Sequence, residues 1–560
     1  MSADSLEQTL GNMGLPVIRR LTPRGFGLMS AGSGSTEVLV TEMPIERGEA
    51  LRASAPPDVI VEQDQPLVHH GALFSTMDAS PQLSLPAPPG GAAVPVRVKV
   101  ADKDGKPAVG ATVTIYGQAF PAHGDTDEKG LVEIAVSGGL GALQAVYVKP
   151  RADFWEKVLL RPQLDPDQPN VITLQRFSET FAGFPKQKMV GWGQKLMGLD
   201  QLDDRFDGAG AKVGIMDSGC DNSHPQLRHV TNGDDLVARD GGTGWTDDVM
   251  SHGTHCAGII GARSADRFAG IRGFAPAAEI HAIKVFPSGR ISDLIDALDI
   301  AVQRQLDVMN MSLGSADPSE LVQQKLETAV AGGVACIVAA GNSSGPVQFP
   351  GLLPQSITIA AVGQLGQYPQ DSYHAMTVGP GGPGPEGIFP AKFSCFGPQV
   401  RLSAPGVAII STVPKNGYAA WDGTSMATPH VTGLSALVMA HHPALKGLPR
   451  DGNRVAALFK ILQSSARPVV ADPLRGGFGL PHAPTALAQA SAGGAAPSAP
   501  VQQVMAGAPA MALGTGGATV VPPAGGAPAL SPEFIAQLQL RAALGDPTAQ
   551  RMLMLLSGML

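Results

Sequence analysis

The chain has 560 residues, too many for one ordinary domain, and sets an expectation of about three or four. With 40 Lys and Arg against 48 Asp and Glu the formal charge is −8, so there is no basic footprint for nucleic acid. Hydrophobic residues at 44% suffice for a large core, while 69 glycines and 48 prolines call for many turns and some linker.

The start, MSADSLEQTLGNMGLP, is acidic early and has no apolar stretch behind a basic one, unlike a Sec-type signal peptide. No stretch reaches the roughly 18–20 uninterrupted apolar residues that span a bilayer. The longest candidate, VTGLSALVMA at 431–440, has the length of a buried core helix. The expectation is no membrane span, and either the cytoplasm or export by a non-Sec route.

Residues 1–88 hold strand-like pieces at Val38–Val40 and Asp58–Glu62, separated by a helix predicted around 44–54. A Pro- and Gly-rich stretch at 79–93 reads as a linker. From 94 to 176 apolar alternation is punctuated by turns at Asp104-Gly105 and Lys129-Gly130, which predicts a small all-β sandwich. From 200 to 490 short apolar runs such as AKVGIMDSG and VACIVAAGN alternate with helical stretches such as SDLIDALDIAVQRQ. That alternation predicts an α/β fold, with a central parallel sheet and helices on both faces. Residues 491–530 are nearly all Ala, Gly, Pro, Ser, Val and Met and read as a flexible linker. Residues 531–560 read as two short helices starting near Ser531 and Asp546. Their Leu and Met excess needs an apolar partner, either the body of the same chain or another protein.

Cys220, Cys256, Cys336 and Cys395 include no C-x-x-C pair, so buried free thiols are expected, with one disulfide left open. Their spacing opposes a zinc site.

Three islands carry chemistry. Asp217 follows the apolar run Val213-Gly214-Ile215-Met216, at the end of a buried strand where sites in α/β sheets form. His252-Gly253-Thr254-His255-Cys256-Ala257-Gly258 sets two histidines among small residues, without the Glu of a zincin helix. Asp422-Gly423-Thr424-Ser425-Met426-Ala427-Thr428-Pro429-His430 opens an apolar helix with a serine. Such a helix start supplies a backbone N–H and a positive dipole end, as a developing oxyanion requires. Singly, each island reads first as structural: Asp217 as an Asx turn or cap, and Ser425 as a helix cap, with a metal-ligand pair a minor reading of the two histidines.

Together, in the order Asp, His, Ser, they closely resemble the subtilase family of serine peptidases, and the HGTHCAG wording is nearest its proteinase K branch. The resemblance covers about 200–490. It implies the family's α/β fold and an endopeptidase acting on proteins or peptides. It makes His252 the general base, Ser425 the nucleophile and Asp217 the residue that orients His252, with His255 structural. Val338-Ala339-Ala340-Gly341-Asn342 resembles the segment whose Asn side chain completes the oxyanion hole, which gives Asn342 that role. Met311-Ser312-Leu313-Gly314 resembles the edge to which the family pairs an extended substrate, assigning Ser312, Leu313 and Gly314 to substrate binding. Ala339, Ala340 and Gly341 then form the opposite wall, and their small size suggests a large apolar residue before the scissile bond. No cofactor is required for this chemistry. Structural calcium, frequent in the family, finds no contiguous Asp-rich loop that would name its ligands.

Gly476 to Ala483 resembles the terminal turn of many subtilases. Between Val362 and Phe393 a Gly- and Pro-rich insertion reads as a surface loop in reach of the substrate cleft. ALRASAPPDVIVEQDQPL at 50–67 is similar to the last helix and strand of subtilase propeptides, which chaperone folding and inhibit the enzyme. The chain departs from that pattern because the sandwich, which resembles a carboxypeptidase-regulatory-like module, intervenes. Self-cleavage at 68–90 and at 178–200 both fit. The competing class is an inactive binding or scaffold protein on the same fold. Retention of Asp217, His252, Asn342 and Ser425 argues against it.

Overall fold

A computed structural model of the chain describes residues 2–22, 36–69, 93–117, 121–141, 143–264, 269–315, 317–384 and 386–488. Nearly all of the expected 79–93 linker, the 491–530 linker and the 531–560 helices lie outside them.

The chain begins with helix α1 (Ala3–Asn12), capped where the Ser2 hydroxyl accepts the Ser5 N–H at 3.2 Å. Strands β1 (Val17–Leu21) and β2 (Val38–Thr41) pair antiparallel, and helix α2 (Ile45–Ser54) follows. The strand expected at Asp58–Glu62 is absent. Pro56 and Pro57 lack N–H donors and start a turn in which the Val59 N–H reaches the Pro56 carbonyl at 2.9 Å. Pairing begins later, in the short strand β3 (Val68–His69).

Seven strands build the next unit: β4 (Val94–Ala101), β5 (Thr112–Tyr116), β6 (Ala122–Asp125), β7 (Leu131–Val136), β8 (Ala145–Lys149), β9 (Lys157–Leu160) and β10 (Asn170–Thr173). They form a three-stranded sheet, β10-β4-β7, and a four-stranded sheet, β6-β5-β8-β9. Alternate residues Val96, Val98 and Val100 of β4 face Val113, Ile115, Val146 and Val148 across a closed core. The Asp127 carboxylate accepts the Lys129 and Leu131 N–H groups to fix the turn before β7. Gly130 there has φ +74°, and a side chain would run into the Val100 carbonyl.

Short helices α3 (Phe177–Thr180) and α4 (Trp192–Leu196) lead into a larger sheet. Its strands are β11 (Lys212–Asp217), β12 (Asn232–Asp235), β13 (Glu279–Lys284), β14 (Val308–Met311), β16 (Ala335–Ala339), β17 (Ile357–Gln364), β18 (Ile388–Pro390) and β19 (Val400–Pro405), with β15 (Leu313–Gly314) set apart beyond β14. The order is β12-β13-β11-β14-β16-β17-β18, with β19 also on β17. All pairs are parallel except β17 with β18. The fold is α/β, with helices on both faces. One core takes α5 (His252–Gly261) and α8 (Thr424–His441); the other takes α6 (Ile291–Gln303) and α7 (Glu320–Ala331). Strand residues alternate between them: Val308 and Ile337 face the first, Met309 and Val338 the second. Neighbours β13 and β14 flank β11 on opposite sides, so the order reverses there, and β11 delivers Asp217 at its carboxyl end. All four cysteines are free and buried. No helix among the described residues is long and apolar enough to cross a membrane.

The insertion after Val362 departs from expectation. Its tip near 380–384 is mostly exposed, but it is not simply a surface loop: His374, Thr377, Ile388, Phe389 and Ala391 are buried. Strand β18 seats one flank against β17, and the other flank packs on the β-sandwich.

Candidate active site

Asp217 ends β11 and His252 opens α5, so two backbones must approach closely. Gly253 permits it, because any side chain there would strike the Gly219 carbonyl oxygen in the turn after β11. The His252 Nδ1 then lies 2.8 and 2.9 Å from the two Asp217 carboxylate oxygens. Asp217 Oδ1 also accepts the Ser218 N–H at 2.7 Å and the Ser218 hydroxyl at 3.1 Å. Asp248 holds the next layer: one oxygen sits 2.8 Å from the Ser218 hydroxyl and the other accepts the Thr254 N–H at 2.8 Å.

Asp217 and His252 are both buried. Burial disfavours charge on each, pushing Asp217 up to about 6, against the pull of the His69 imidazole, and His252 down to about 3. At neutral pH the imidazole is therefore uncharged beside a carboxylate. Its Nδ1 is engaged, and its Nε2 is buried without a hydrogen bond. That is the form a general base must have.

Ser425 is the second residue of α8, buried, with its hydroxyl 3.5 Å from the Ser312 carbonyl. Asn342 follows β16 and turns its side-chain carbonyl to the Thr424 N–H at 2.9 Å and hydroxyl at 2.8 Å. That anchoring leaves the amide N–H2 as the donor end. Ala339, Ala340 and Gly341 lead to it, all buried, with Gly341 at φ +109°. Ser312 receives the Asn310 amide at 3.0 Å and donates to the Ser425 carbonyl at 3.2 Å. His255 points away, bonding the Ile409 carbonyl at 3.0 Å and the Ala419 carbonyl at 3.1 Å. The Trp421 ring stacks on it at 4.6 Å.

One occupant of the cleft was not singled out in the sequence. Strand β3 pairs antiparallel with β15, setting His69 opposite Leu313 and Val68 opposite Gly314. Leu67 donates to the Gly289 carbonyl at 2.8 Å, so this segment is held on two sides. The His69 ring meets the His252 ring edge-on at 3.9 Å. Upstream, Glu62 accepts the Glu320 N–H at 2.7 Å at the start of α7, and Asp64 accepts the Ser292 N–H at 2.9 Å at the start of α6. Both carboxylates sit on positive helix ends. Arg19 adds bonds to Ser292 and Asp293. A His-His pair after Leu67-Val68 gives no sequence signal for such a place.

Two groups of three ligand-type side chains lie within 4.8 Å among the described residues: His69 with Asp217 and His252, and Glu156 with His374 and Asp422. In each, an imidazole Nδ1 lies 2.7–2.8 Å from a carboxylate oxygen, as in a hydrogen bond.

The Subtilase family profile matches residues 208–467. Subtilisin DY of Bacillus licheniformis is 36% identical over 262 residues, 46% of this chain and 86% of that protein. The chain belongs to the subtilase family. Subtilisin of Bacillus pumilus is 36% identical over 246 residues, covering 42% of this chain and 80% of that protein. Subtilisin E of Bacillus subtilis (strain 168) is also 36% identical over 246 residues, and there the match spans 58% of its length. The matched part of this subtilase holds Asp217, His252, Asn342 and Ser425, while the β-sandwich and the β3 segment lie outside it.

Proposed function

We propose that the chain is a serine endopeptidase working through an acyl-enzyme on Ser425. The observation that carries this is the neutral His252, its Nδ1 on Asp217 and its Nε2 uncommitted, in the same buried site as the start of α8. The Ser425 oxygen attacks the scissile carbonyl carbon as its proton passes to His252 Nε2. Asp217 keeps the Nδ1 proton in place and offsets the imidazolium charge. The oxyanion takes the Asn342 N–H2 and the Ser425 backbone N–H. Collapse expels the amine, which leaves with the proton held by His252. Water, deprotonated by the same nitrogen, then releases the acid and restores Ser425.

Substrate specificity follows from the walls. An extended peptide adds to Leu313–Gly314 as β3 does, and Ala339, Ala340 and Gly341 leave room for a large apolar side chain. The β3 segment is the first such peptide the site meets, so the chain cuts itself just beyond His69. Until then the segment excludes other substrates. A fluorophosphonate probe tests the nucleophile: the wild type is expected to label and Ser425→Ala is not. A folded wild type that stays unlabelled, both before and after limited proteolysis of its N-terminal region, would overturn the reading.

A further inference from the structure

The β-sandwich does not merely precede the peptidase fold. The loop between β8 and β9 drives Trp155 into the peptidase core, where its ring meets Phe177 at 5.0 Å and His374 at 5.9 Å. Beside it, Asp153 grips the hairpin formed by β20 (Ile409–Val413) and β21 (Gly417–Trp421). Its N–H reaches the Tyr418 carbonyl at 2.6 Å and its carboxylate accepts the Tyr418 N–H at 3.1 Å. Strand β21 runs directly into Asp422 and the nucleophile turn.

We propose that Glu156, supplied by the β-sandwich, is a positioning residue for the peptidase reaction, acting through His374 and Asp422 on the turn that presents Ser425. This rests on the reading of Ser425 as nucleophile. All three groups are buried. His374 Nδ1 donates to Asp422 Oδ1 at 2.7 Å and lies 3.6 Å from Glu156 Oε1. Glu156 Oε2 in turn accepts the Tyr147 hydroxyl at 2.6 Å. Asp422 Oδ1 also receives the Ala408 N–H at 2.6 Å. The next two residues are pinned as well: the Gly423 N–H to the Gly406 carbonyl at 2.8 Å and the Thr424 N–H to Asn342 at 2.9 Å. Three consecutive anchors thus hold the approach to Ser425, and the first is strengthened by positive charge on His374.

A buried imidazolium needs negative charge around it. His374 faces Asp422 from the nucleophile turn and Glu156 from the sandwich, with the Tyr147, Tyr368 and Tyr373 hydroxyl groups nearby. Lys149 acts on Glu156 from β8, and Asp371 is paired with Lys157 at 2.9 Å. Burial alone would lower His374, yet the two carboxylates raise it to about 9. Its folded value lies above the ordinary 6.5, so the charge that strengthens this anchor is fully present below that pH and is lost as pH rises through about 9, leaving a weaker neutral Nδ1–H bond to Asp422. Without Glu156 the proton leaves earlier.

The test is the pH profile of kcat and KM on a peptide substrate for the full chain, with fluorophosphonate labelling alongside. Glu156→Gln is expected to lower kcat about tenfold with little change in KM, as a small misplacement of the nucleophile does. Its alkaline limb should move down by about one pH unit, the size of effect one nearby charge has. Tyr147→Phe keeps every charge but removes one support of the Glu156 carboxylate, so it should move the limb the same way by less. It decides the matter if Glu156→Gln does not fold. A labelling wild type whose variants share its profile, differing in melting temperature alone, overturns the positioning role and leaves the peptidase reading intact. A wild type that neither labels nor hydrolyses overturns both.

Discussion

The two regions ahead of the peptidase fold meet it in different ways. Of its described residues, the N-terminal region adds only Leu21, Val38 and Leu67 to the core of α6 and α7. It otherwise touches the fold along polar edges: carboxylates on helix ends, an arginine on Ser292 and Asp293, and one short strand in the cleft. The β-sandwich meets it through a buried tryptophan, a buried carboxylate and two backbone bonds to Tyr418. The polar contacts of the first kind exchange readily with water. Those of the second leave a cavity or an unpaired charge when broken. The difference supports the proposed reading, in which the first region is a removable occupant and the second is part of the frame around Ser425.

The largest effect should come from Trp155, which is 1% exposed in the peptidase core. Trp155→Ala should cost about 3–5 kcal/mol, the usual range for a buried aromatic. Thermal denaturation of the Ser425→Ala background would show it as one large drop for the whole fold. Independent melting of an unaffected peptidase transition would mean that the sandwich is not part of the peptidase frame. A smaller effect is expected at the helix ends. Removing both carboxylate charges, Glu62→Gln with Asp64→Asn, should leave the peptidase transition unmoved but release the N-terminal region about tenfold faster, since each such charge is worth up to about 1 kcal/mol. The onset of probe labelling in time reads this out. Unchanged onset would mean that the polar edges do not hold the region.

How much of this was legible in the sequence follows from distance along the chain. Asp217, His252 and Ser425 each lie in a local motif, and the strand–helix alternation around them made the α/β sheet readable. The sandwich was readable too, because inward valines alternate in β4 and turns at Asp104-Gly105 and Lys129-Gly130 punctuate it. The expected strand at Asp58–Glu62 failed because Val59-Ile60-Val61 carried a β pattern that the Pro56-Pro57 turn overrode, and pairing waited for Val68. The insertion read as surface from its glycines and prolines, which describe its tip, while its flanks are buried. Glu156 and His374 were invisible for a different reason. They lie 266 and 48 residues from Asp422 (422 − 156 and 422 − 374), in segments without a motif, and only folding makes them neighbours. His69 was missed likewise, since its meaning lies in the ring it touches.

In the proposed function, the cleft around Ser425 takes the chain's own β3 segment as its first substrate. The most direct measurement is the intact mass of purified wild type beside that of Ser425→Ala. The wild type should show a break just beyond His69, and Ser425→Ala should keep the full 560 residues. The same break in both proteins, or no break in either, would contradict it.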